Sequence, residues 1–272
     1  MPDRALAAAA APQGAPGSGA AGASEHLAAA GAWGRIHSVT TGSMVDGPGV
    51  RTVVWTTGCE MRCLYCHNPD TWTVRSGEPT EAEALVKRVA RHKRFMAAAG
   101  GGVTVTGGEP LVQSRFVVRV LRGCQAQGLH TALDTNGYLG DRLSDEELAA
   151  ADLVLLDLKS FDPETHLKVT GREVEPVLAF ARRLAERRRP TWLRFVLVPG
   201  LTDAPANVEG LAAFASSLGN VERVDVLPFH QMGRAKWKKL GLRYALDGVR
   251  PPAPEAVERV REVFRARGLT VV

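Results

Sequence analysis

Three cysteines fall within eight residues of one another, Cys59, Cys63 and Cys66 in the run GCEMRCLYCHNPD, and the chain has one other, Cys124. A thiolate is a soft ligand for iron and zinc. A Cys-x3-Cys-x2-Cys loop is short enough to curl three thiolates around one small inorganic core. A four-iron cluster ordinarily takes four thiolates, so three leave one iron open to an outside ligand. Two blander uses compete: a zinc site completed by His67, and a closed cluster or zinc site completed by Cys124. Cys124 lies in the helical stretch 117–127, where a lone cysteine more often packs as a small hydrophobe.

Elements must hold that loop. Short β-branched runs alternate with helical stretches from Trp33 onward, which argues for parallel strands joined by crossover helices. Strands are expected over 50–57, 103–106, 130–135, 153–159, 192–198 and 222–227, with a last one at 269–272. Thr80-x-x-Glu83 and Ser144-x-x-Glu147 fit the capping box at a helix start, and Pro205 and Pro254 suit a first helical turn. Six such units predict a partial (β/α)6 barrel, open and curved, of the α/β class with outer helices; an ordinary doubly wound sheet is the alternative. Nearly every expected strand ends in polar or glycine-rich residues: Gly58-Cys59, Gly107-Gly108-Glu109, Asp134-Thr135-Asn136, Asp157 with Lys159, Pro199-Gly200, and His230. Parallel strands bring such ends to one face, where sites of these folds are assembled.

Composition sets the bounds. Residues 1–31 are almost wholly Ala, Gly, Pro and Ser and are expected to form a disordered tail, leaving 32–272 as one domain. Four cysteines, three at ligand spacing, do not make a disulfide framework and point to a reducing cytoplasm. The alanine run at 5–11 dissolves into proline and glycine, so neither an export signal nor a membrane span is expected. The net charge of +5 comes from arginines scattered along helical stretches such as Arg182, Arg183 and 187–189, which reads as solvated helix faces and not as a nucleic-acid surface. Basic residues remain a hint of docking to an acidic protein.

Further motifs add to the cysteines. Cys59-x3-Cys63-x2-Cys66, with Tyr65 before the last cysteine and Gly107-Gly108-Glu109-Pro110 at a strand end, resembles the radical S-adenosylmethionine superfamily. Within it, Asp46-Gly47-Pro48-Gly49-Val50-Arg51, Tyr65-Cys66-His67-Asn68, Gly100-Gly101-Gly102-Val103-Thr104, Leu133-Asp134-Thr135-Asn136-Gly137, Leu156-Asp157-Leu158-Lys159 and Leu227-Pro228-Phe229-His230 are similar to the pyruvate formate-lyase activating enzymes, from about Gly34 to the C-terminus. Trp55-Thr56-Thr57 stands where that family has a Phe-rich run, and the N-terminal tail has no counterpart in it.

The resemblance implies a radical SAM fold and a reaction. Cys59, Cys63 and Cys66 would hold a 4Fe–4S cluster whose fourth iron takes the amino and carboxylate groups of S-adenosylmethionine. One-electron reduction would cleave the sulfonium to methionine and a 5′-deoxyadenosyl radical, and that radical would take a Cα hydrogen from a glycine of pyruvate formate-lyase. Implied cofactor neighbours are Tyr65, His67, Gly107, Gly108, Glu109, Asp134, Asp157, Lys159 and His230, although a carboxylate at Glu109 could instead fix its own loop. Asp134, Thr135 and Asp157 would hold a monovalent cation, and Asp46, His67 and Arg194 would meet the substrate protein. Asp46-Gly47-Pro48-Gly49 would equally serve as a turn. A flavodoxin or ferredoxin is the implied electron donor and a monomer the implied state, without nucleic acid or membrane. His37, His92 and His166 match nothing of this kind.

Residues 67–123 contain no cysteine, so the cysteine-rich insert of several other glycyl radical activases is missing. Three readings stay open on the residues: an activase for pyruvate formate-lyase or another glycyl radical enzyme, a radical enzyme acting on a small molecule, and a non-catalytic metal or electron-transfer module.

Overall fold

The computed structural model describes residues 31–272. The expected tail therefore lies outside the described residues, Gly31 excepted. The strands are β1 (Trp33–Ser43), β2 (Arg51–Thr56), β3 (Glu78–Glu81), β4 (Gly102–Gly107), β5 (His130–Thr135), β6 (Leu153–Asp157), β7 (Thr191–Leu197) and β8 (Val221–Pro228). They form one open sheet in the order β3-β1-β2-β4-β5-β6-β7-β8. From β2 to β8 every neighbouring pair is parallel, while β1 pairs antiparallel with both β2 and β3. Six parallel strands with crossover helices make the partial (β/α)6 barrel that the alternation of runs predicts.

Period-2 alternation sorts the side chains. Val103 and Val105 of β4, Leu133 of β5, Val154 and Leu156 of β6, Leu193 and Phe195 of β7, and Val224 and Val226 of β8 join the main core under the helices. Their neighbours point to the concave face instead. Ala132, Leu153 and Leu155 pack with Trp192 there at the N-terminal end of the strands, and one or two steps along the same face are Asp134, Asp157 and Arg194. Hydrophobic filling low in the barrel thus gives way to charge at its upper end.

The outer layer contains α1 (Ala82–Ala90), α2 (Lys93–Ala98), α3 (Ser114–Ala126), α4 (Asp145–Leu148), α5 (Pro163–Thr170), α6 (Glu175–Glu186), α7 (Pro205–Leu218), α8 (Arg234–Lys239) and α9 (Pro254–Arg265). On α3, Phe116, Val117, Val120, Leu121 and Cys124 recur at helical spacing and are buried, each aliphatic adding about 1.5–3 kcal/mol of transfer free energy. Ser144 and Glu147 form the expected capping box: Ser144 Oγ accepts from Glu147 N at 3.1 Å, and Glu147 Oε2 accepts from Ser144 N at 2.8 Å. Pro205 and Pro254 open α7 and α9.

Three expectations at the edges are corrected. Thr80 does not cap a helix: residues 78–81 are drawn into β3 against β1, the Thr80 hydroxyl donates to Glu78 O, and α1 starts at Ala82 without a side-chain cap. Residues 269–272 give a single parallel bridge, Val224 to Val271, and no full strand. Strands β1 and β3 lack a sequence signal, because β1 buries little beyond Gly34 and Ile36 and β3 buries no side chain. Edge strands with solvated faces carry little hydrophobic periodicity.

Candidate active site

The segment after β2 carries the cysteines, and its backbone is tied down on both sides. Gly58 N donates to Thr71 O at 2.7 Å, Cys59 N to Trp72 O at 3.1 Å, Arg62 N to Thr170 O at 2.8 Å and Leu64 N to Val169 O at 2.9 Å. Trp237 Nε1 of α8 donates to Cys66 O at 2.8 Å. With the main chain so fixed, Cys59, Cys63 and Cys66 are free, half-buried thiols on the wall of one cavity of about 500 Å³. Cavities of that volume take small-molecule ligands. A cleft of about 540 Å³ between α7 and α9 shares no residue with it and is walled largely by prolines and aliphatic side chains.

The expected residues converge on the cavity. Asp46, Tyr65, His67, Gly107, Gly108, Asp134, Thr135, Asp157, Lys159, Arg194 and His230 all line it. Cys124 does not: it is wholly buried in α3 within the main core, its thiol pushed up to about 12 by burial. His166 is buried and bonded to Arg172 O at 2.9 Å, a packing role, and His37 pairs with Asp70 at 3.2 Å. Among the described residues no three His, Cys, Asp or Glu side chains converge as ligands of a single ion. The three thiols line one wall of the cavity.

The thiols are electrostatically reluctant. Burial pushes Cys63 up to about 12 and raises Cys59 and Cys66 as well, with Lys159 drawing Cys63 and Cys66 back. Thiols in so dry a place become thiolates when a metal displaces their protons. The donor set and the room beside it fit an iron–sulfur cluster.

Opposite the cysteines lies a row of alternating charge. Asp134 Oδ2 accepts from Thr106 Oγ1 at 2.7 Å and from Arg194 Nη1 at 2.8 Å. Arg194 Nε lies 3.9 Å from Asp157 Oδ1, and Lys159 Nζ donates to Asp157 Oδ2 at 2.6 Å. Burial raises Asp134 despite Arg194, whereas for Asp157 the cations Lys159 and Arg194 overcome burial and hold it low. Burial works against the charge on Lys159, yet Asp157, Tyr65 and Cys63 raise it. The Lys159 ammonium also stands 5.9 Å from the Tyr65 ring centroid, and the buried Tyr65 hydroxyl has no hydrogen-bond partner among the described residues. These are two cations and an unspent donor facing a cavity.

Two glycines let the backbone come close. Gly107 has φ +130°, and a Cβ there would stand 2.2 Å from Thr56 O. At Gly108 a Cβ would stand 2.3 Å from Gly58 O, next to Cys59. Their strand end is thereby pressed against the cysteine loop. His67 and His230 stack with ring centroids 4.2 Å apart, and burial, then His230, lowers His67, keeping it neutral. Asp46 reaches the barrel interior because its carbonyl accepts from Thr104 Oγ1 at 2.6 Å, while buried Arg51 donates to Thr104 Oγ1 at 2.6 Å and to Pro48 O at 3.1 Å. The Asp46–Arg51 segment is thus pinned by its own arginine.

Glu109 is the one expected cofactor neighbour that the cavity lacks. It is fully buried; Oε1 accepts from Leu111 N at 2.9 Å and Thr135 Oγ1 at 2.7 Å, and Oε2 from Asn136 N at 2.8 Å. Burial, then Glu60, pushes its carboxyl up to about 8. It joins the β4 and β5 loops, and it occupies the Thr135 hydroxyl expected to face a cation. From the sequence Asn136 is only a strand-end residue with no assigned role; its Nδ2 is 3.0 Å from Glu60 Oε1 and 4.0 Å from Cys59 Sγ, and Trp55 and Asp225, which have no assigned role in the sequence, also line the cavity. Asp225 was findable as the residue between the buried Val224 and Val226, which strand alternation turns to the opposite, concave face.

Comparison with known proteins defines the class: the Radical SAM superfamily model matches residues 53–209. A radical SAM methyltransferase from Sphaerobacter thermophilus superposes with a TM-score of 0.60 over 88% of this chain and 76% of its own, at 19% identity, which speaks for the fold alone. A domain of a pyruvate-formate lyase-activating enzyme from Bacteroides vulgatus gives a TM-score of 0.53 at 29% identity, over 64% of this chain and 98% of its own. The pyruvate formate-lyase 1-activating enzyme of Escherichia coli K12 is 44% identical over 241 residues, 88% of this chain and 98% of that protein. The Listeria monocytogenes pyruvate formate-lyase-activating enzyme is 42% identical over 237 residues, 85% and 96%. The chain belongs to the family of pyruvate formate-lyase activating enzymes within the radical SAM superfamily. That superfamily implies a 4Fe–4S cluster and S-adenosylmethionine. No helix among the described residues is long and apolar enough to cross a membrane.

Proposed function

We propose that this protein activates pyruvate formate-lyase by installing a glycyl radical in it. The observation that carries the reading is the meeting of Cys59, Cys63 and Cys66 with Asp134, Asp157, Lys159 and Arg194 on one cavity, in a chain 44% identical to an activase over 98% of that activase's length. Cys59, Cys63 and Cys66 hold the cluster. When bound, the reduced cluster and S-adenosylmethionine supply a 5′-deoxyadenosyl radical, with methionine as the other product. The protein orients that chemistry and shields it from side reactions.

Each residue has a task in this reading. Gly107 and Gly108 bring backbone carbonyls to the methionyl ammonium, and Lys159 offers a cation to its carboxylate. Tyr65, neutral His67 and His230 line the adenosyl side. Asp134 and Asp157 close the polar wall, and Glu109 acts behind it as a loop clamp. Asp46, His67 and Arg194 receive the substrate protein's glycine loop at the mouth. A monovalent cation between Asp134, Thr135 and Asp157 belongs to the same reading and requires Arg194, now across both carboxylates, to swing aside and Thr135 to serve through its carbonyl, its hydroxyl being held by Glu109. The donor is a flavodoxin or ferredoxin, and the protein works as a cytoplasmic monomer.

The test is anaerobic reconstitution with iron and sulfide, reduction, and addition of S-adenosylmethionine. The expected result is a change in the reduced cluster's EPR signal on adding the cofactor, and formation of 5′-deoxyadenosine. A signal indifferent to the cofactor would leave a plain electron-transfer module.

A further inference from the structure

The helix after β8 is clamped to the cysteine loop from within and strongly basic without. Trp237 of α8 is buried, donates to Cys66 O at 2.8 Å and meets the Trp72 ring edge-on at 5.1 Å. Lys236 Nζ reaches Asn68 Oδ1 at 2.8 Å and Asp70 Oδ1 at 3.1 Å. The turn entering the helix lies on the loop too, since a Cβ at Gly233 would stand 2.8 Å from the His67 Cα. Between Phe229 and Leu246 the chain has five Lys and Arg and no carboxylate. Arg234 is matched by Asp247 and Lys236 by Asp70, whereas Lys238, Lys239 and Arg243 are exposed and enter no ion pair among the described residues. Met232, Leu240 and Leu242 are exposed around them, at 82%, 45% and 39%. The other arginine run, 187–189, precedes β7 and so lies at the opposite end of the barrel from the cysteines.

We infer that the face made by α8 and the segment up to Arg243 docks an acidic one-electron carrier protein, delivering its electron to the cluster loop beneath. The inference rests on the activase reading. Charge complementarity selects the occupant: unneutralised cations ringed by exposed aliphatic side chains favour a carboxylate-rich partner surface. Position supplies the rest, because electron tunnelling weakens steeply with distance and this face is one helix away from Cys66. In the transfer the carrier loses one electron and the cluster goes from its 2+ to its 1+ state, with no bond made or broken. The glycine loop of the substrate keeps the mouth beside Asp46 and Arg194.

The probe is reduced flavodoxin, compared with dithionite as a small reductant, on the reconstituted full-length protein. In Lys238→Glu/Lys239→Glu/Arg243→Glu the rate of 5′-deoxyadenosine formation driven by flavodoxin should fall by at least about tenfold at low salt, with the dithionite-driven rate within about twofold of wild type. Should the triple variant fail to fold, Lys238→Gln/Lys239→Gln and the wild-type salt profile serve: the flavodoxin rate should drop between about 50 and about 300 mM salt while the dithionite rate changes far less. A flavodoxin rate unaffected by the substitutions overturns the inference. So does a variant that cleaves the cofactor normally with flavodoxin but no longer puts a radical on pyruvate formate-lyase, which would assign the face to the protein substrate. If dithionite drives no cleavage in the wild type, the activase reading itself falls, and the inference with it.

Discussion

Replacing Gly108 by alanine would place a methyl carbon 2.3 Å from the Gly58 carbonyl oxygen and 2.9 Å from Thr71 O, where ordinary contact begins at 3.4 Å. Both neighbours are backbone, so the cysteine loop must retreat by about 1 Å, a rearrangement of the overpacking kind that costs about 1–3 kcal/mol. Gly58 O also accepts from Glu109 N at 2.7 Å, and stretching that bond adds about 1 kcal/mol. Gly108 is not among the left-handed glycines, so none of the cost is backbone strain. The sum, about 2–4 kcal/mol, lowers Tm by roughly 5–15 °C in a domain of this size. The assay is thermal unfolding by circular dichroism, alongside iron content after anaerobic reconstitution. Gly219→Ala, at the C-cap of α7, is the control: it has φ +71° and open space around it, so it bears the left-handed penalty of about 1–2 kcal/mol without touching the loop. Gly108→Ala is expected to melt lower than wild type and lose iron, while Gly219→Ala keeps its iron. A Gly108→Ala protein with full iron and a Tm within about 2 °C of wild type would refute the close-approach argument.

Alanine at any one of Cys59, Cys63 or Cys66 should abolish cofactor cleavage and the visible cluster absorbance, whereas Cys124→Ala should keep both and lose about 1 kcal/mol in denaturant unfolding as a small core deletion. Arg194→Ala leaves Asp134, whose side chain is 10% exposed, without its cation, at a cost of about 3–5 kcal/mol. Its pH dependence has a definite sign: burial already raises Asp134 above its unfolded 3.8, and such a carboxyl contributes stability below that value and loses it as pH climbs through the folded one. Removing Arg194 moves the folded value further up, so the variant's Tm deficit should be larger at pH 8 than at pH 5. Equal deficits would show that the pair does not control Asp134.

The parallel strands were legible because each is a short aliphatic run with a buried outward face, as in Val103 and Val105 or Leu193 and Phe195. The site was legible because chemistry-bearing residues follow those runs directly, and a parallel sheet gathers their ends. What escaped was non-local. Thr80 carries a capping pattern that strand pairing with Gly34 overrides. Glu109 stands next to Gly108 in sequence, yet its side chain turns away into three hydrogen bonds that no local pattern announces. Trp55 and Asn136 enter the site through the inward turn of β2 and the fold of the β5 loop, where spacing alone does not separate a lining residue from a packing one.

The most direct measurement is the EPR spectrum of pyruvate formate-lyase after anaerobic incubation with this protein, reconstituted and reduced, and S-adenosylmethionine. A glycyl radical doublet should appear on the lyase, dependent on the cofactor and absent with Cys63→Ala. Cofactor cleavage with no radical on the lyase would contradict it and turn the site toward a different substrate.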